Sequence, residues 1–290
     1  MYELLVQPFV EFAFMRRALF GAIFLSMIAA PLGIFLILRR LSLVSDAMTH
    51  AILPGVALGF FWAGNSMLAM LLGGLITGFV VALMAGFISR HTSLKEDASF
   101  AAFYLISLGL GVFLISVRGT NVDLMHVLFG SILSISDESL FTTMCVSSVS
   151  ILILALIYRP LVLDCFDPVF LRVELGRRSW VFSVFIVLLV VNLVAGFQIL
   201  GTLMVVGVVI LPAITARFLG RTLGFQLIIA PLVGVFCQYV GLVISYAYDL
   251  PTSASIILIN GIVTVLAMLF GPYGSCLLYT SDAADDIALV

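Results

Sequence analysis

Long apolar stretches with at most one formal charge recur along this chain, and they constrain its fold more than any other feature. An α-helix needs about 20 apolar residues to cross a hydrocarbon core of ~30 Å. Nine runs approach or meet that length: Ala18–Leu38, Leu43–Trp62, Met67–Ile88, Ala98–Val117, Ser139–Ile157, Val181–Leu200, Thr202–Phe218, Leu223–Tyr246 and Ala254–Phe270. Only 10% of the 290 residues are charged and 63% are hydrophobic, against roughly 25% charged in a soluble domain. The expected fold is an all-α integral membrane protein, a polytopic bundle of 8–9 transmembrane helices. The seventh run leaves the count open, because Pro212 lies inside it and a short turn around Gly201 separates it from the sixth.

Loop charge sets the orientation. Arg39, Arg40, Arg90, Lys95, Arg159, Arg172, Arg177, Arg178, Arg217 and Arg221 fall on one side, and Arg16, Arg17 and Arg118 on the other. The first side is expected to be cytoplasmic. The N-terminus then lies outside, unless the first residues form an interfacial helix held inside by Arg16 and Arg17. Three regions follow: an N-terminal interfacial segment, residues 1–17; a transmembrane domain, residues 18–274, with a cytoplasmic loop at 158–180; and a tail, residues 275–290. The tail, "SCLLYTSDAADDIALV", carries three aspartates and reads as a non-native, adaptor-derived extension. The N-terminus has Glu3 and Glu11 where a signal peptide would be basic.

Several activities are excluded by what the chain lacks. A net charge of −2 with no basic stripe gives no basis for nucleic-acid binding. Lys95 in "SLKED" is the one lysine and has no glycine loop before it, so no phosphate-cradling Walker A sequence exists here. Energy from ATP must come from another polypeptide. No hydrolytic triad or HExxH is present. Cys145, Cys165, Cys237 and Cys276 are scattered without a CxxC, so neither a disulfide nor a structural zinc is expected, and Cys145 and Cys237 read as packed thiols.

The chemistry concentrates in "LRRLSLVSDAMTHAILPGVALGF", where Asp46 and His50 are four residues apart. On a helix that spacing places both on one face. A carboxylate and an imidazole together suit a borderline divalent ion such as Zn²⁺, Mn²⁺ or Fe²⁺. The competing reading is a mutual pair near the cytoplasmic headgroups, beside Arg39 and Arg40. Ionisable residues inside a membrane helix mark pathways, and Pro54–Gly55 permits a break, so the pathway is favoured. Asp123 and His126 repeat the pairing at the outer mouth and are weaker candidate metal contacts, since a solvated loop accounts for them. Asp249 reads as a loop or cap residue and His91 as a cytoplasmic loop histidine. Gly55/Gly59, Gly74/Gly78 and Gly220/Gly224 have a spacing that lets helices approach closely, read as internal packing. In the cytoplasmic loop, Asp167–Pro168 fits a helix start, with Val169, Phe170 and Val173 on one apolar face.

Four blocks resemble the permease subunit of the zinc/manganese/iron ABC importers, the ABC-3 family: "LRRLSLVSDAMTHAILPGVALG", "DLMHVLFGSIL", "DPVFLRVELG" and "LGTLMVVGVVILPAITARFL". The resemblance implies the all-helical fold of the vitamin B12 and siderophore importers, and a multi-pass protein of the bacterial cytoplasmic membrane. It implies no permanent cofactor, and as cargo a divalent metal ion contacted by Asp46 and His50. Its implied partners are a second permease chain, a cytoplasmic ATPase dimer and an extracellular or periplasmic metal-binding protein. Asp167, Pro168, Phe170 and Gly176 would belong to the helix that couples to the ATPase. Ser45 and Ser253 stand where that family usually has glycine, and Val173-Glu174-Leu175 is bulkier and more acidic than its usual coupling segment. The alternative from another class is an ATP-independent carrier using Asp46/His50 as a proton or ion relay.

Overall fold

A computed structural model of the chain describes residues 6–64, 66–92, 96–117, 136–167 and 180–275. Every regular element among them is a helix: α1 (Gln7–Glu11), α2 (Ala13–Leu38), α3 (Ser42–Ala51), α4 (Leu53–Ala63), α5 (Met67–His91), α6 (Glu96–Val117), α7 (Asp137–Phe166), α8 (Trp180–Leu200), α9 (Thr202–Leu219), α10 (Leu223–Tyr248) and α11 (Thr252–Phe270). Helices dominate because a bilayer offers the backbone no water, so each N–H and C=O must pair within its own segment. Eight spans among the described residues are long and apolar enough to cross, with α3 and α4 together forming one of them.

α9 is the shorter apolar helix outside those eight, and it runs unbroken through Pro212. Its ends lie level with those of α11, which is one of the eight. Ser253 Oγ at the start of α11 donates to Leu200 O just before α9 (3.4 Å), and Tyr273 N, just past α11, donates to Phe218 O (3.2 Å). α9 therefore covers the same depth as α11.

α2 is the axis of the bundle. It packs against α7, α8, α9 and α10 and buries Leu25, Ile28, Leu32, Phe35 and Leu36 completely. Its Gly33 lets α9 come so near that an added Cβ would lie 1.9 Å from Val209 O. α5, α6 and α7 show large apolar side chains such as Leu72, Ile106 and Leu156 outward, as lipid or another chain requires.

Several expectations are corrected. α2 begins at Ala13, not Ala18, so residues 13–17 belong to a spanning helix rather than to a separate interfacial segment. Arg17 there pairs with Asp137 at the start of α7 (3.0 Å), which puts both ends on the same side. The loop expected over 158–180 is helical to Phe166. Gly220/Gly224 is no packing pair, because Gly220 is the C-cap of α9 and nothing lies within 4 Å of a Cβ on Gly224. Cys145 is exposed on this chain rather than packed, while Cys237 is buried. Asp249, by contrast, is a cap residue as expected, closing α10 at φ 50°. His91 is the last residue of α5 and stacks on Phe87 (4.2 Å).

Candidate functional site

The second crossing is broken in the middle, and its first half carries the ionisable pair. α2 ends in a Schellman-type reversal: Arg40 N donates to Ile37 O and Leu41 N to Leu36 O (3.0 and 2.9 Å). Arg40 stands at φ 61°, the left-handed position that glycine usually fills. α3 then runs ten residues to Ala51 and α4 restarts at Leu53. Pro54 causes the break, because it supplies no N–H to the preceding turn and fits the first turn of a new helix.

The carbonyls at the break are satisfied by the restarting helix itself and by neighbouring helices. Gly55 N and Val56 N both donate to Ile52 O (3.1 and 3.2 Å), and the buried Ser107 hydroxyl of α6 donates to Ala51 O (2.8 Å). Thr77 Oγ of α5 donates to Gly73 O (3.1 Å) and reaches Ile52 O at 3.4 Å. Gly55 and Gly73 bring α4 and α5 into backbone contact, since a Cβ on Gly55 would sit 2.0 Å from Gly73 O.

On this braced half-helix, Asp46 Oδ1 and His50 Nε2 are 3.7 Å apart, with side-chain exposures of 54% and 27%. That is too long for a hydrogen bond. Two ligands of one ion, each at about 2.1 Å, lie about 3–3.5 Å apart, so a small rotation lets both bind the same cation. His50 Nδ1 is buried without a hydrogen-bond partner among the described residues, and the ring lies beside Tyr104 of α6 (6.3 Å between centroids). No group of three or more His, Cys, Asp or Glu is gathered among the described residues. Among the described residues, one chain therefore presents two donors, Asp46 and His50, on an open face. Ser45 is fully buried and its hydroxyl donates to Ser42 O (3.0 Å), so the bulk it adds over glycine is accommodated.

Asp123 and His126 lie outside the described residues, as do Pro168, Phe170 and Gly176. Asp167 is described, as the exposed C-cap of α7. The structure also joins residues that the sequence reading kept apart. The Arg39 guanidinium forms an ion pair with Asp164 in the last turn of α7, with side-chain exposures of 15% and 9%. It also lies 4.3 Å over the Phe182 ring of α8. Asp164 lies seven residues beyond the apolar run that ends at Ile157, and no local signal marked it as the partner of Arg39.

Comparison with known proteins gives a consistent picture. Residues 11–271 match the family described as the ABC 3 transport family. The manganese transport system membrane protein MntC of Halalkalibacterium halodurans is 34% identical over 264 residues, covering 91% of this chain and 89% of that protein. The chelated iron transport system membrane protein YfeD of Yersinia pestis is 30% identical over 270 residues, covering 93% and 89%. Among solved structures, PsaBC from Streptococcus pneumoniae in complex with Fab has a TM-score of 0.85 at 28% identity, covering 97% of this chain and 100% of that one. An inward-facing ABC transporter described as metal-chelate type shares the fold, at 16% identity and a TM-score of 0.71 over 90% and 87% of the two chains.

Proposed function

The chain belongs to the ABC 3 transport family, and on that premise we propose that it passes divalent manganese or iron along a route lined by Asp46 and His50. It is the membrane-spanning permease subunit of a metal-ion ABC importer, and not itself an enzyme; ATP hydrolysis resides on a separate chain. Manganese and iron are the metals named for its relatives, and they are the favoured cargo over zinc.

The observation that carries this reading is the open Asp46–His50 pair on a braced half-helix. A carboxylate more than half exposed on a membrane crossing is costly against lipid. Facing a second copy across a water-filled path removes that cost. Two copies would offer two carboxylates and two imidazoles, and this mixed oxygen and nitrogen set releases a cation more readily than a closed thiolate cage. The rest of the assembly in this reading is a permease homodimer, a cytoplasmic ATPase pair and an extracellular or periplasmic metal-binding protein, in the bacterial cytoplasmic membrane. Residues 167–176 would dock the ATPase, with Phe170 as anchor. Asp123 and His126 would meet the metal at the outer mouth. The test is metal uptake by Asp46→Ala and His50→Ala in the assembled transporter. Uptake should be lost in each while membrane insertion is retained; normal uptake in both would defeat the proposal.

A further inference from the structure

Arg39 occupies an unusual junction. It follows the last residue of α2 and precedes Ser42, the first residue of the half-helix that bears Asp46. Its guanidinium pairs with Asp164 at the end of α7 and stacks on Phe182 in the first turn of α8. It thus joins both helices that flank the cytoplasmic connection between α7 and α8 to the turn leading into α3. One turn deeper the same three helices meet again, where Phe35 of α2 packs edge-on against Tyr158 of α7 and Phe185 of α8 (6.4 and 6.2 Å between centroids). α8 in turn packs directly on α3.

We infer that Arg39 is a positioning residue for transport, linking the inner ends of α7 and α8 to the half-helix that carries Asp46 and His50. A displacement of α7 and α8 by the ATPase then reaches α3 through one charge-assisted, planar contact instead of being lost in the turn. Arginine suits this role because its flat guanidinium can bind a carboxylate and stack on an aromatic ring at once, which lysine cannot do. The α2 side of the contact is rigid, since Phe35 and Leu36 are fully buried. The inference rests on the reading that the ATPase docks on the α7–α8 connection.

The deciding experiment uses the full transporter in liposomes, with its ATPase and metal-binding protein, and measures Mn²⁺ moved per ATP hydrolysed. In the double variant Arg39→Met/Asp164→Leu, apolar residues replace a buried pair, an exchange that folded proteins tolerate. The variant is expected to fold, retain the ATPase and hydrolyse ATP, with Mn²⁺ moved per ATP falling about tenfold, a usual size for coupling between sites. Arg39→Lys, which keeps the charge and loses the stack, should fall between that variant and the parent. An unchanged ratio in the double variant overturns the inference. So does failure of the double variant to assemble, which would give the pair a purely structural role. Failure of the docking premise shows separately, as ATPase co-purification that is unaffected by Phe170→Ala.

Discussion

Two ionisable pairs lie close together in this protein and are built in opposite ways. Arg39–Asp164 is closed: both side chains are largely buried, three helices converge on it, and an aromatic ring covers the guanidinium. Asp46–His50, beginning seven residues later, is open: its atoms stand 3.7 Å apart and more than half the carboxylate is exposed. The closed pair has its charges matched and holds helices together. The open pair is held by its backbone, through Ser107 and the Gly55–Gly73 contact, and its side chains remain available. The difference between the two pairs is burial: the pair that links helices is enclosed by them, whereas the pair proposed to meet the metal stays open.

The comparison can be broken most forcefully at the closed pair. Asp164→Ala strands the buried guanidinium and should cost about 3–5 kcal/mol, read as a lower unfolding midpoint of purified permease in detergent. A loss no larger than that of a surface change would show that the pair is not closed in solution. The next largest effect tests the bracing of the open pair. Gly55→Val places a side chain against the α5 backbone and should destabilise by about 1–3 kcal/mol, the range for overpacking. Uptake should fall with it as α3 shifts. Full stability and uptake would mean that the close contact does not hold the site.

The smallest effect calibrates the role of burial. Arg17–Asp137 has the same chemistry at the opposite end of α2 and α7, but Asp137 is 87% exposed. Arg17→Ala should therefore change stability by about 1 kcal/mol or less, and the difference should shrink in high salt. A loss equal to that of Asp164→Ala would remove burial as the explanation.

Much of this was legible in the sequence, for identifiable reasons. Crossing helices are written in long apolar runs, and the i,i+4 spacing of Asp46 and His50 with Pro54 after them announces a paired face and a break. Arg39–Asp164 was not legible, since a contact 125 residues apart in the chain (164 − 39) leaves no local pattern. The Ser107 hydroxyl was equally hidden, because a serine in an apolar helix looks the same whether it caps its own turn or another helix. Gly73, the partner of Gly55, sits beside the Gly74/Gly78 spacing that the pattern highlighted, and helix–helix register rather than spacing selects it. α7 outlasts its expected end at Ile157 because the helix continues through Arg159 and Pro160 to Phe166, although a charge followed by proline looks like the start of a loop.

The central claim is that Asp46 and His50 serve transport and not stability. The most direct measurement is Mn²⁺ uptake by Asp46→Ala and His50→Ala at matched membrane expression, with the unfolding midpoint of each purified variant recorded alongside. The account predicts loss of uptake in both, with midpoints close to the parent. Normal uptake, or a loss that follows a collapse in stability, would contradict it and leave Asp46–His50 as a pair that serves stability alone.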